Sequence, residues 1–199
     1  MESAYHLTVN DIEAHADALL EFHAGFANFF RSATRSVAPH ARDYLQGQLL
    51  CESRRNMSQM SVQVVERNNQ ALSNFISTSP WEDAPLLEAI GQHAAGLLST
   101  PDEGRAKALI RDESGIAKQG LASVGVGRQY CGALGKVDNC QVGVYLAYGT
   151  DQEVTLIDRR LFLPQRWIDD PARCTKAGIP PQAQVYRTKA ELGWEMIQA

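Results

Sequence analysis

The side chains whose types suit chemistry concentrate after residue 110. Asp112 stands where Ala106 to Arg111, readable as a short strand, gives way to Ser114-Gly115. A carboxylate at the C-terminal end of such a strand suits a metal-ligating acid, and it equally suits an ordinary turn cap. Glu113 adds little to a metal site there, because consecutive strand residues point to opposite faces. Lys118, Arg128 and Lys136 follow, interleaved with Tyr130, in a segment from Glu113 to Asn139 that is rich in glycine (Gly115, Gly120, Gly125, Gly127, Gly132, Gly135). These cations suit phosphate contacts or a solvated loop. The glycine spacing is not G-x-G-x-x-G, no strong helix follows, and the P-loop Lys-Ser/Thr is missing, so a nucleotide loop is not indicated.

Further along, alternation in Asp158-Arg159-Arg160 puts Asp158 and Arg160 on one strand face and Arg159 on the other, which an ordinary cross-strand ion pair accounts for. Asp169-Asp170-Pro171 reads as a turn leading into a helix rather than a ligand pair. Cys51, Cys131, Cys140 and Cys174 contain no CxxC and read as reduced thiols, not as a zinc ribbon or a disulfide framework. Nothing in the spacing of His6, His15, His23, His40 and His93 recommends a zinc site. All five precede the glycine-rich segment, away from any nucleophile elbow, so no Ser-His-Asp set is suggested.

Two kinds of element must position these groups. From Thr8 to Phe30, Ile12, Ala16, Leu19, Leu20, Phe26, Phe29 and Phe30 recur at helical spacing, with Thr8 and Asp11 as a capping start. Tyr44, Leu45, Leu49 and Leu50 predict a second helix, and Met57, Met60, Val64 and Val65 a third, with Ser53 to Asn56 between them. Asn69 to Ile76 and Pro85 to Leu98 complete a helical half, broken at Ser79-Pro80-Trp81. The turn formers from Ser99 to Gly104 read as a linker. Beyond it, Ala106–Arg111, Val142–Tyr148 and Val154–Leu163 predict a three-stranded antiparallel meander, thin enough to need helices packed on it.

The chain has 199 residues, 44% hydrophobic and 21% charged, with a net charge of −4, which excludes disordered and collagen-like classes. No apolar run approaches the ~20 residues needed to span a bilayer, and the start at Met1-Glu2-Ser3-Ala4 lacks a basic n-region and an apolar h-region, so the expected compartment is the cytoplasm. Residues 1–40 carry 2 Lys plus Arg against 5 Asp plus Glu, whereas 171–199 carry 4 against 2. No basic stripe runs along the sequence, so any nucleic-acid surface has to be assembled by folding.

Longer motifs go beyond composition. The runs Asp112-Glu113-Ser114-Gly115-Ile116-Ala117-Lys118-Gln119-Gly120, Ser123-Val124-Gly125-Val126-Gly127-Arg128-Gln129-Tyr130-Cys131-Gly132 and Leu134-Gly135-Lys136-Val137-Asp138-Asn139-Cys140-Gln141-Val142-Gly143-Val144 closely resemble the core of a bacterial insertion-sequence transposase family of the DDE superfamily. Leu156 to Pro164 with Trp167, Tyr44 to Leu50, and Ser79-Pro80-Trp81 are similar to it as well, so the likeness extends from about Phe29 to Ile197.

This resemblance implies an RNase H-like catalytic domain behind a helical region. In such enzymes two Asp and one Glu hold two divalent ions, Mg²⁺ or Mn²⁺, at a phosphodiester. Asp112 matches the first Asp, implying a catalytic metal ligand, and Lys118, Arg128 and Lys136 become DNA-phosphate contacts. Arg111 departs from the family, which has an apolar residue there. The family's second Asp lies on a later strand, beyond a helical segment like Lys189 to Gln198, and its Glu lies further still, whereas this sequence ends at Ala199. Asp158 matches a strand position that is not catalytic.

The expectation is therefore an α+β chain that forms the N-terminal part of a DDE transposase. Residues 1–104 would be helical, and 105–199 would form an incomplete RNase H-like mixed sheet of three antiparallel strands plus helix. Such a chain cannot cut DNA alone. Its partners would be insertion-sequence ends, itself or intact transposase, with no membrane and no small-molecule substrate. The alternatives are a non-catalytic DNA-end-binding or transposase-inhibiting module, and a decayed remnant whose open sheet edge favours aggregation.

Overall fold

A computed structural model describes residues 8–31, 34–51, 55–63, 69–98 and 106–199 of the chain. His6, Ser53 and Arg54, Val64 and Val65, the turn formers from Ser99 to Gly104 and the boundary expected at 104/105 lie outside those residues. So do the side chains of Asp11 and Ile12. The chain divides into two compact units, Met1–Leu86 and Leu87–Ala199.

The first unit is helical: α1 (Val9–Phe26), α2 (Ala38–Leu50), α3 (Met57–Gln63), α4 (Asn69–Ser77) and the start of α5 (Asp83–Leu98). Pro39 occupies the first turn of α2, where its missing N–H leaves no orphan donor. The core is aromatic. Phe30 lies 5.1 Å from Trp81 and Phe75 stacks on Trp81 at 5.5 Å, around the buried Val37 and Ala41. The Trp81 indole N–H donates to the Phe75 carbonyl at 3.1 Å, which ties the Ser79-Pro80-Trp81 break onto α4. A Cβ at Gly47 would lie 2.8 Å from the Met60 sulfur, so the glycine lets α3 approach α2.

The second unit holds an antiparallel sheet of β1 (Ala108–Ala117), β2 (Gly127–Cys131), β3 (Lys136–Gly149) and β4 (Val154–Leu161), followed by α6 (Gln165–Ile168), α7 (Pro171–Lys176) and α8 (Lys189–Gln198). Strand β3 is the organiser: β1 pairs with Cys140–Gly149, β4 with Gly143–Gly149, and β2 with Lys136–Cys140. Because β1 and β4 share Gly143–Gly149, they occupy opposite edges of β3. Helix α8 starts with a capping box between Thr188 and Glu191 and covers one face, with Leu192 and Met196 on Val144 and Leu146. Cys174 and Trp167, from α7 and α6, close a second core with Val126.

The α+β expectation of helices first and an antiparallel sheet afterwards is met, with four strands in place of three. The extra strand, β2, lies in the glycine-rich stretch whose composition disfavours strands. The first strand also differs from the reading that ended it before Asp112. It runs on to Ala117, so Asp112 sits mid-strand. Asp, Glu, Ser and Gly are poor strand formers, but ten successive pairings with β3 override that preference. The pair expected across strands from Asp158 forms instead within β4, between Asp158 and Arg160 two residues apart. Asp170 does start a helix: its carboxylate accepts from the Arg173 N–H at 2.9 Å and caps α7.

Candidate functional site

Register and alternation decide which groups share a surface. Asp112 is paired with Tyr145, whereas Arg111 faces Leu146 and Glu113 faces Val144. The neighbours of Asp112 therefore turn toward α8, and Asp112 turns the other way. Its carboxylate is exposed, and Oδ1 accepts the Glu113 N–H at 2.8 Å. Glu113 is engaged on the α8 side, 3.4 Å from Lys189 Nζ and 3.9 Å from Arg111. The cationic Arg111 is accommodated by Gly193 of α8, where a Cβ would lie 2.9 Å from Arg111 Cγ.

Across the sheet from Asp112 run Tyr145 of β3 and Arg159 of β4, which are register partners on the same face. The next row is Ser114, Gly143 and Leu161. Gly143 leaves the space that the Tyr145 ring fills: a Cβ there would meet the phenol oxygen at 2.7 Å. Beside that ring lies a shallow groove of about 220 Å³, lined by Ile116, Gln141, Gly143, Tyr145 and Arg159 among others.

Two of the three basic candidates reach this face. Arg128 pairs with Asn139, which shares the parity of Gly143 and Tyr145. Lys118 stands one residue past β1, its N–H still donating to the Asn139 carbonyl at 2.9 Å, so it continues the row of Asp112 and Ser114. The loop that begins at Lys118 is held down by β3. The Asn139 amide donates to the carbonyls of Lys118 and Gly120 at 2.7 and 2.9 Å, and Gln141 donates to Val124 at 2.7 Å. At Gly125 the backbone is left-handed (φ 72°) and a Cβ would strike the Phe162 carbonyl at 2.8 Å, so this glycine serves a turn. Lys136 shares the parity of Asp138 instead, and its ammonium lies 2.9 Å from that carboxylate. The hydrogen bond from Lys136, then the Asn139 N–H and the Lys136 charge, hold the Asp138 carboxyl below the usual carboxylate range, with Arg128 the smallest contribution.

The thiols are inert by placement. All four are buried and outside any disulfide, and burial, followed by the neighbouring Cys131, pushes the Cys140 thiol up. Among the described residues no three His, Cys, Asp or Glu side chains are grouped to hold a metal ion. Asp112 supplies one carboxylate, and a pair of hard divalent ions demands several oxygen ligands. The described residues by themselves thus do not complete a two-metal centre. No described helix is long and apolar enough to cross a membrane.

Tyr145 and Arg159 join the site through the sheet arrangement, and no motif in the sequence marks either as a site group. Alternation places Arg159 on its own side of β4, and only the β1–β3–β4 register puts it on the Asp112 side.

Comparison with known proteins then adds kinship. Residues 24–199 match the family described as DDE superfamily endonuclease. One relative, named "Probable transposase for insertion sequence element IS701" from Microchaete diplosiphon, is 40% identical over 77 residues, 39% of this chain and 19% of the relative. The matched stretch therefore spans about a fifth of that relative's length. No solved structure matches the chain.

Proposed function

Since the chain belongs to the DDE superfamily endonucleases, we propose that it is the part of an insertion-sequence transposase that contributes the first acidic residue of the cutting site and contacts element-end DNA. The observation that carries this reading is the exposed Asp112 carboxylate, set mid-strand on the sheet face that α8 leaves open. Its role in this reading is to ligate a divalent ion, Mg²⁺ or Mn²⁺, once further carboxylates from outside the described residues join it. The ion would supply Lewis-acid stabilisation at a phosphodiester.

What this chain's own residues do is hold Asp112 and present cations. The β1–β3 ladder fixes the Asp112 backbone, the Glu113 N–H orients Oδ1, and Arg111 and Glu113 anchor the strand to α8. Lys118 and Arg128 hold phosphates nearby, while Lys136 is committed to Asp138. In this reading the helical part, residues 1–104, precedes a partial RNase H-like domain at 105–199.

Incubating the chain with DNA carrying element ends and Mg²⁺ or Mn²⁺ tests the proposal. Binding without cleavage is expected. Divalent-dependent cleavage that Asp112→Ala abolishes would overturn the claim that one acid is insufficient. Absence of binding at low salt favours the alternative of a module that acts on intact transposase through protein contacts.

A further inference from the structure

Between the end of β4, helix α8 and the connection that joins α7 to α8 lies a cavity of about 560 Å³. Its walls are largely apolar, with Val124, Leu161, Leu163, Ile179, Val185 and Leu192 among them. Such a size and lining fall in the range of small-molecule sites, roughly 300–1,000 Å³. Asp112, Lys118, Arg128 and Arg159 do not line it, so it is separate from the sheet face described above. The connection is braced by its own chemistry. Gly178 turns it through the left-handed region (φ 75°), and the Ile179 N–H donates to the Cys174 carbonyl at 3.0 Å. Pro180 and Pro181 fix two successive φ angles. Across the short turn Pro181–Ala183, the Gln184 amide donates to the Ile179 carbonyl at 2.8 Å. The far end is tied to α8 by the ion pair of Arg187 with Glu195. A rim held at both ends in this way needs little further ordering to receive a guest.

The charged side chains in this wall are Arg160, Arg187 and Glu195. Each guanidinium already has a partner. Asp158 engages Arg160 at Nη1, where the Arg159 carbonyl also accepts at 2.9 Å, and Glu195 engages Arg187 at Nε. A guanidinium carries five N–H groups, and these bonds draw on one nitrogen of each. The other nitrogens can bond a further acceptor with both ion pairs intact, and the wall itself sets two cations against one anion. We infer that the cavity is a binding site for a small, largely apolar molecule bearing one acidic group, a carboxylate or sulfonate. Its body lies against Leu161, Leu163 and Leu192, and its acid meets Arg187, with the Arg160 charge adding to the attraction. A wholly apolar guest would strip water from the guanidinium N–H groups and replace it with nothing, and a basic guest would meet like charge. The inference stands apart from the transposase reading and does not depend on it.

The test titrates the 199-residue chain with 8-anilinonaphthalene-1-sulfonate, an aromatic sulfonate whose fluorescence rises in apolar surroundings. For a molecule of about 21 non-hydrogen atoms the expected Kd is about 20 μM, with one molecule bound per chain. N-phenyl-1-naphthylamine, the same body without the sulfonate, should bind about tenfold more weakly. Arg187→Gln should weaken the sulfonate about tenfold and leave the neutral molecule unchanged, which erases the preference. Ala183 is an exposed residue of the lining. Ala183→Glu should weaken the sulfonate about threefold or more, and Ala183→Lys should strengthen it by a similar factor. Val62→Ser, at an exposed apolar position of the helical unit, should change nothing. Circular dichroism of each variant shows that folding is intact. Absence of saturable binding to the wild type overturns the proposal. So does binding that Arg187→Gln and both Ala183 variants leave unaltered, which would place the probe elsewhere. Equal or tighter binding of the neutral molecule to the wild type, a comparison that needs no variant, would overturn the acidic class of the guest.

Discussion

Helix α8 and the strand bearing Asp112 meet at one close contact, and its energetics can be worked out from the geometry. Gly193 is buried in α8 and a Cβ there would lie 2.9 Å from Arg111 Cγ, too close for either to stay in place. Gly193→Ala therefore has two opposed effects. A helix interior gains about 1 kcal/mol when glycine becomes alanine, and overpacking costs about 1–3 kcal/mol. The net expectation in the wild-type background is a destabilisation between about 0 and 2 kcal/mol. In an Arg111→Ala background the obstructing methylenes are gone, and the same substitution should stabilise by about 1 kcal/mol. The predicted coupling is thus about 1–3 kcal/mol, with a change of sign. The assay is equilibrium urea unfolding of the four proteins in the cycle. At an m value of about 2 kcal/mol/M the Gly193→Ala midpoint shifts in the two backgrounds differ by roughly 0.5–1.5 M. A coupling below about 0.5 kcal/mol, the ordinary scatter of independent sites, would refute the claim that Arg111 runs under Gly193 and ties β1 to α8.

Three further outcomes follow from the same packing. Trp167→Ala removes a buried ring whose indole N–H donates to Val126 at 2.9 Å, and urea unfolding should register a loss of about 3–5 kcal/mol. The amides of the loop from Lys118 to Gly127 should also exchange faster, because the Arg166 contact to the same carbonyl loses its support. All four thiols should resist iodoacetamide in the native protein and react together after unfolding; labelling of Cys131 or Cys140 without urea would contradict their burial. Hydrogen bonds from the Thr188 backbone and hydroxyl hold the Glu191 carboxyl below the ordinary value of 4.5. That carboxylate stabilises the fold above its unfolded pKa, and the contribution disappears as pH falls through the lower folded value. Glu191→Gln should flatten the acid limb of the urea midpoint against pH; an unchanged limb would remove the capping box from the account.

The helical half and the α+β class were legible because local rules carry them. Apolar spacing of three and four residues, Pro39 in a first turn and Asp170 before Pro171 act over a few residues, and the observed α2, α4 and α7 follow them. The strand limits were less legible. Asp112-Glu113-Ser114-Gly115 carries a strong turn signal, and Gly127 to Cys131 lies in glycine-rich sequence, yet both are strands because β3 pairs with them. Hydrogen-bond partners that lie far away in the chain cannot be read from propensity. Sequence by itself determined the chemistry available: an acid at 112, cations at 118, 128 and 136, and motif runs long enough to declare kinship. Tertiary structure alone decided which of these groups meet. A one-residue change of register would carry Asp112 to the face under α8. The pairing of Asp112 with Tyr145, and of Tyr145 with Arg159, is what puts the acid and the cations on one open surface.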